Sequence, residues 1–185
     1  MTQSHDYDLA LRVSEHFRCA SIPQIVVKYR VHPYQVSLSR RRKQSYCKLA
    51  AQASARARRS ELSDPLNGVE EINPQVLKSM GISEAQIQAE LASGYENWIE
   101  PLVSAGDYAS ALKVAEEALR ANWDHLDRAR TAQLYLLAGR LYWKQKKYVH
   151  GLFVALRAMV KYPPMTKRFI KALGRRLGVV ARRSA

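Results

Sequence analysis

The chain has little of several things that would narrow its class. It holds only 2 cysteines in 185 residues, Cys19 and Cys47. That is too few for a disulfide framework, and they lack the paired spacing of a metal motif. Reduced thiols in a cytosolic setting are the expectation. No apolar run approaches the ~20 residues that cross a bilayer. The opening MTQSHDYD is polar and acidic, so a secretory leader is not expected. His16, His125 and His150 share no metal-ligand spacing. Zinc-finger spacing, a Gly-x-x-Gly loop and an aromatic strand signature are all wanting, so no specific nucleic acid is expected as a partner. Acidic side chains are also scarce at both ends. Residues 1–60 carry 12 Lys/Arg against 3 Asp/Glu, and residues 161–185 carry 8 against none. The middle, residues 61–160, is slightly acidic, with 10 against 13. Basic ends of this kind suit phosphate-bearing partners: nucleotides, lipid phosphates, an anionic membrane or nucleic acid, and charge alone does not choose among them.

What is present is enough for a core, since 47% of the residues are apolar. Leu9, Val13 and Phe17 recur at helical spacing behind Ser4, Asp6 and Asp8, which predicts a helix over about 5–18 with carboxylates in its first turn. The sequence SIP at 21–23 ends it. Val26, Val27, Tyr29 and Val31 then predict an extended segment over 25–31, closed by a turn at Pro33. The sequence RRRKQSYCKLAAQASARARR predicts a long basic helix over about 40–59. Its RRRK start reads first as a solvated face, and second as an approach to a lipid diphosphate acceptor. Turn formers concentrate over 60–74, and Ser83 is placed to cap the next helix.

The remainder repeats with an offset of 40 residues. Tyr108 falls on Tyr148, Ala111 on Gly151, Ala115 on Ala155 and Ala118 on Ala158. Small residues at these positions permit close helix approach, and Trp98, Trp123, Trp143 and the tyrosines read as packing between helices. The pattern resembles tetratricopeptide repeats. The second copy fits best, through Gly139, Tyr142, Tyr148, Gly151, Ala155, Ala158 and Pro163. In the first copy Pro101 falls inside the expected first helix. The offset exceeds the usual repeat length by about six residues, which a longer segment near NWDHLDRA has to absorb. Beyond Pro164, residues 169, 170, 173, 177 and 180 share an apolar face, while Lys167, Lys171, Arg175 and Arg182 share a basic one. That predicts a basic amphipathic helix suited to an anionic membrane surface.

Chemistry concentrates in the first 40 residues. A carboxylate in a first helical turn can act as a general base toward a hydroxyl. An Arg-x-His pair at a strand end can hold a diphosphate, the arginine through its planar fork and the histidine as a further contact or metal ligand. The stretch HDYDLALRVSEHFRCASIPQIVVKYRVHPYQVSLS resembles the end of the catalytic domain of family 2 glycosyltransferases. The family pattern is met at Asp6, Tyr7, Asp8, Leu9, Leu11, Arg12, Pro23, Tyr29, Arg30, His32 and Ser37, while His5 stands in place of the usual Glu and Ala10 in place of the common Trp. The resemblance implies that Asp6 is the acceptor-activating base. It also implies that Arg30 and His32 lie near the donor diphosphate and its divalent metal, with His32 a candidate ligand. The family places a nucleotide-binding βαβ region and an Asp-x-Asp metal motif before this point.

The expectation is therefore a mainly α chain. A glycosyltransferase-derived helix-strand-helix remnant (1–59) is followed by a linker (60–74), antiparallel tetratricopeptide-like hairpins (75–163) and the basic helix (164–185). Joined to its nucleotide-binding region, it would transfer sugar from a nucleotide sugar to a glycan or lipid-linked hydroxyl acceptor, using Mn or Mg. Alone it would take no cofactor and be inactive. A cytoplasmic location, peripheral at the inner membrane face through 164–183, is expected. The second reading is a non-enzymatic helical-repeat module that binds a protein partner through its repeats or, ranked below that, nucleic acid through its basic ends.

Overall fold

A computed structural model describes residues 5–28 and 40–164 of the chain. The described residues are mainly helical, and none of them lies in a β-strand. The helices form two compact units, Met1–Asp107 and Tyr108–Ala185.

In the first unit, α1 is His5–His16, α2 Arg41–Arg59, α3 Pro74–Ser79 and α4 Glu84–Ser104. Helix α1 stops at His16, short of the expected residue 18. Residues 25–28, the described part of the expected strand, have no regular structure. The physical reason is that an isolated strand has no neighbour to accept its ladder hydrogen bonds. Ile25, Val26 and Val27 are accordingly exposed. Tyr29, Arg30, His32 and Ser37 lie outside the described residues.

Helix α2 is the axis of this unit. Its alanine-rich face lets neighbours approach closely, and Cys47, Leu49, Ala50 and Ala53 join Ile72, Leu77, Ile82 and Ile87 in one core. The turn-rich segment after α2 supplies Leu66 and Val69 to the same core. Two helix starts in this unit have a side-chain cap. Asn73 accepts a hydrogen bond from the Val76 amide ahead of Pro74, and Ser83 with Gln86 makes a reciprocal capping box. Gly81 (φ 77°) and Gly106 (φ 79°) end α3 and α4 in the left-handed region, which glycine reaches without cost. Pro101 lies inside α4, where it removes one helical donor without ending the helix before Ser104.

The second unit holds α5 (Tyr108–Arg120), α6 (Arg128–Lys144) and α7 (Tyr148–Lys161). Helix α6 packs on both α5 and α7. Between α5 and α6 the chain folds back on a buried Trp123, whose indole N–H donates to the Ala118 carbonyl at 2.8 Å. Ala111, Ala115, Ala118, Ala132, Ala138, Ala155 and Ala158 are all buried. Where α6 meets α7, a Cβ added to Gly139 would lie 3.3 Å from the Gly151 carbonyl oxygen. No helix among the described residues is long and apolar enough to cross a membrane.

Candidate functional site

Helix α1 lies against α2, and the contacts that hold it are polar. Arg58 reaches from α2 to α1 as a fork, donating to both Glu15 carboxylate oxygens at 2.7 and 2.9 Å. The same guanidinium donates to Asp64 at 3.0 Å. Ser54, fully buried beneath it, donates to Asp64 at 2.7 Å and accepts from Arg58. The Arg58 hydrogen bond holds the Glu15 carboxyl below its ordinary range. Burial alone would raise Asp64, but the Leu66 amide, Ser54 and Arg58 outweigh it and lower that carboxyl as well. Further along α1, Gln52 donates to the Tyr7 hydroxyl at 2.8 Å.

These contacts fix the first turn of α1, and with it the two aspartates. Asp8 is taken up by the fold: Arg12 donates to it at 2.8 Å and Arg58 stands 4.0 Å away. Asp6 has a different setting. It is exposed, with one oxygen accepting from the Tyr7 amide at 2.9 Å. It lies at an open cleft of about 290 Å³ shared by α1, α2 and α4.

The cleft is lined by Asp6, Tyr7, Arg41, Gln44, Ser45, Lys48, Glu90, Gly94, Asn97 and Trp98. Its charges are ordered by side chains that the sequence reading did not connect with Asp6. Arg41 is only 8% exposed and lies over the Tyr95 ring at 4.7 Å. Burial depresses its pKa. The RRRK segment is therefore more than a solvated face: Arg41 is inside it, Arg42 donates to the Tyr95 hydroxyl, and Lys43 pairs with Glu71. Lys48 donates to both Glu90 oxygens at 2.9 and 3.0 Å, bridging α2 to α4. Gly94 keeps α4 close to α2, since a Cβ there would stand 3.0 Å from the Ser45 hydroxyl. Trp98, expected as inter-helix packing, is half-buried at the edge of the cleft.

The arrangement offers an exposed carboxylate to take a proton, beside a polar and aromatic recess in which Lys48 and Glu90 offset one another. The structure brings Asp6 to this cleft, while Arg30 and His32 lie outside the described residues. Among the described residues no three His, Cys, Asp or Glu side chains are grouped to hold a metal ion. Glu90, the other carboxylate in the cleft, is already paired with Lys48. A signal for Arg41 and Lys48 existed in the sequence, because residues 41, 45 and 48 fall on one face of a helix. Their joining to Glu90, Asn97 and Trp98 depends on a pairing of α2 with α4 that local pattern does not encode. No protein-family model, curated protein or solved structure matches the chain.

Proposed function

We propose that residues 1–59 form the C-terminal end of a family 2 glycosyltransferase catalytic domain, followed by a tetratricopeptide-like helical region. The observation that supports this best is the setting of Asp6. It stands exposed at a cleft it shares with Arg41 and Lys48, while its neighbour Asp8 is neutralised by Arg12. A base must be open to the acceptor, and an ion-paired carboxylate makes a poor one. In the proposed reaction Asp6 takes the proton of an acceptor hydroxyl as that oxygen attacks the anomeric carbon. The bond to the nucleoside diphosphate breaks, and its charge is met by Arg30 and His32. A divalent cation would offset charge on the same leaving group.

The helical region follows the small-residue pattern that the resemblance implies. Its Gly139, Gly151, Ala155 and Ala158 are buried where α6 meets α7, which supports a tetratricopeptide-like reading of that pair. The test is calorimetric titration of nucleoside diphosphate sugars with Mn²⁺ into this chain, and into the chain extended by its upstream in-frame coding sequence. The extended form should bind one donor and transfer it, and Asp6→Asn should keep donor binding while losing about 10²-fold or more in turnover. An extended form that binds no donor, or an Asp6→Asn variant with full turnover, would refute the assignment.

A further inference from the structure

Helix α7 is apolar on two opposite faces, and only one of them is covered. Gly151, Val154, Ala155 and Ala158 are buried toward the unit. On the other side Val149 is 80% exposed, Leu152 52%, Phe153 55%, Leu156 51% and Val160 81%. At ~100° per residue these five fall in an arc of about 100°, centred nearly opposite the buried stripe. A second apolar face needs its own apolar medium, and a patch this continuous marks a contact surface.

The charge around the patch indicates the medium. After Asp127 the sequence contains no Asp or Glu, and residues 128–185 carry 15 Lys/Arg. On α7 itself, Arg157 borders the apolar arc, and its guanidinium lies 4.5 Å over the Phe153 ring. Lys144, Lys146 and Lys147 lead into the helix, and Trp143 and Tyr148, edge to face at 5.2 Å, stand half-exposed at its start. An apolar stripe edged by cations, with amphipathic aromatics at one end, matches the interface of an anionic bilayer.

We propose that the outer face of α7 is a membrane-docking surface, which enters the headgroup region of anionic bilayers with Leu152, Phe153 and Leu156. It is independent of the glycosyltransferase reading, since a module without activity would dock in the same way.

The experiment is flotation of the full chain with phosphatidylcholine vesicles, alone or with about 30 mol % phosphatidylserine. Its partner is the variant Leu152→Gln/Phe153→Gln/Leu156→Gln. These side chains are half-exposed, so the helical circular dichroism should not change. Wild type should float with the anionic vesicles and not with the neutral ones, and the variant should lose about ten-fold or more in partitioning. In a Phe153→Trp chain the added indole should be quenched by brominated lipid beyond the quenching of the wild-type tryptophans. Equal flotation of variant and wild type would overturn the proposal by assigning binding to the basic tail alone. Absence of wild-type flotation, or no added quenching in the Phe153→Trp chain, would overturn it as well. So would concentration-dependent self-association that the triple variant abolishes, since that would make the face a protein interface.

Discussion

The contact between α6 and α7 can be tested at a single atom. In Gly151→Ala the new Cβ would lie 2.4 Å from Trp143 Cδ1, 2.6 Å from its Nε1 and 3.1 Å from the Gly139 carbonyl oxygen. In an open helix the same change would stabilise by about 1 kcal/mol, because alanine loses less backbone freedom than glycine. Here the indole has to swing away, giving up its edge-to-face contact with Tyr148, worth about 0.5–1.5 kcal/mol. The Gly139 carbonyl belongs to the backbone and yields only if the helices separate by a few tenths of an ångström. Overpacking of this sort costs about 1–3 kcal/mol, and two simultaneous clashes place it in the upper half of that range. Subtracting the helix-propensity gain leaves a net loss of about 1–2 kcal/mol. Gly139→Ala is the internal comparison. Its Cβ would meet the Gly151 oxygen at 3.3 Å and then Ala155 atoms at 3.8 and 3.9 Å, so its cost and its gain nearly cancel. Because the chain has two compact units, a single melting curve would mix them. Native-state hydrogen exchange of the amides in α7 isolates the effect as a lowered opening free energy. Increased protection in Gly151→Ala, as at an ordinary solvent-facing helical glycine, would refute the close approach.

Two further outcomes follow from the first unit. Glu15 and Asp64 have folded pKa values below their ordinary 4.5 and 3.8. Their contribution is complete above those ordinary values and is lost as the pH falls through the lowered ones. Hydrogen exchange should therefore show α1 leaving α2 below about pH 4 while the α3 and α4 amides remain protected; simultaneous loss of all of them would contradict the account. Burial raises the Cys47 thiol while Cys19 is exposed, so iodoacetamide at neutral pH should label Cys19 alone until denaturant is added. Comparable rates at the two thiols would place Cys47 outside the core.

Helices were legible wherever a local cause sufficed. The 3.6-residue period and alanine content define α2, and Ser83 caps α4. The small residues repeated at a 40-residue offset lie in α5 and α7, where all of them are buried. The orientation of α1 was not legible. Leu9, Val13 and Phe17 form an apolar stripe at helical spacing, yet Leu9 is 61% and Phe17 70% exposed. Periodicity identifies an apolar stripe but carries no term for ion pairs formed at a separation of 43 residues, and it is Arg58 with Glu15 that turns α1. The cleft was illegible for the same reason, since each lining residue is ordinary within its own helix.

That inversion of α1 bears on the proposed reaction. A helix docked by polar contacts, with its apolar stripe outward, gains little from area and much from geometry, so the position of Asp6 depends on Arg58, Glu15 and Gln52 being in register. The exposed stripe runs on through Ile22, Ile25, Val26 and Val27, which are also exposed and without regular structure. On the proposed reading one physical cause accounts for both facts. A nucleotide-binding sheet packed over Leu9, Val13 and Phe17 would bury the stripe and offer the residues after Ile25 a strand to pair with. It would also close the cleft around Asp6 from the side that α1, α2 and α4 leave open. The base would then be positioned by α1, α2 and α4 and enclosed by that sheet, and its carboxylate would meet a donor only with both in place.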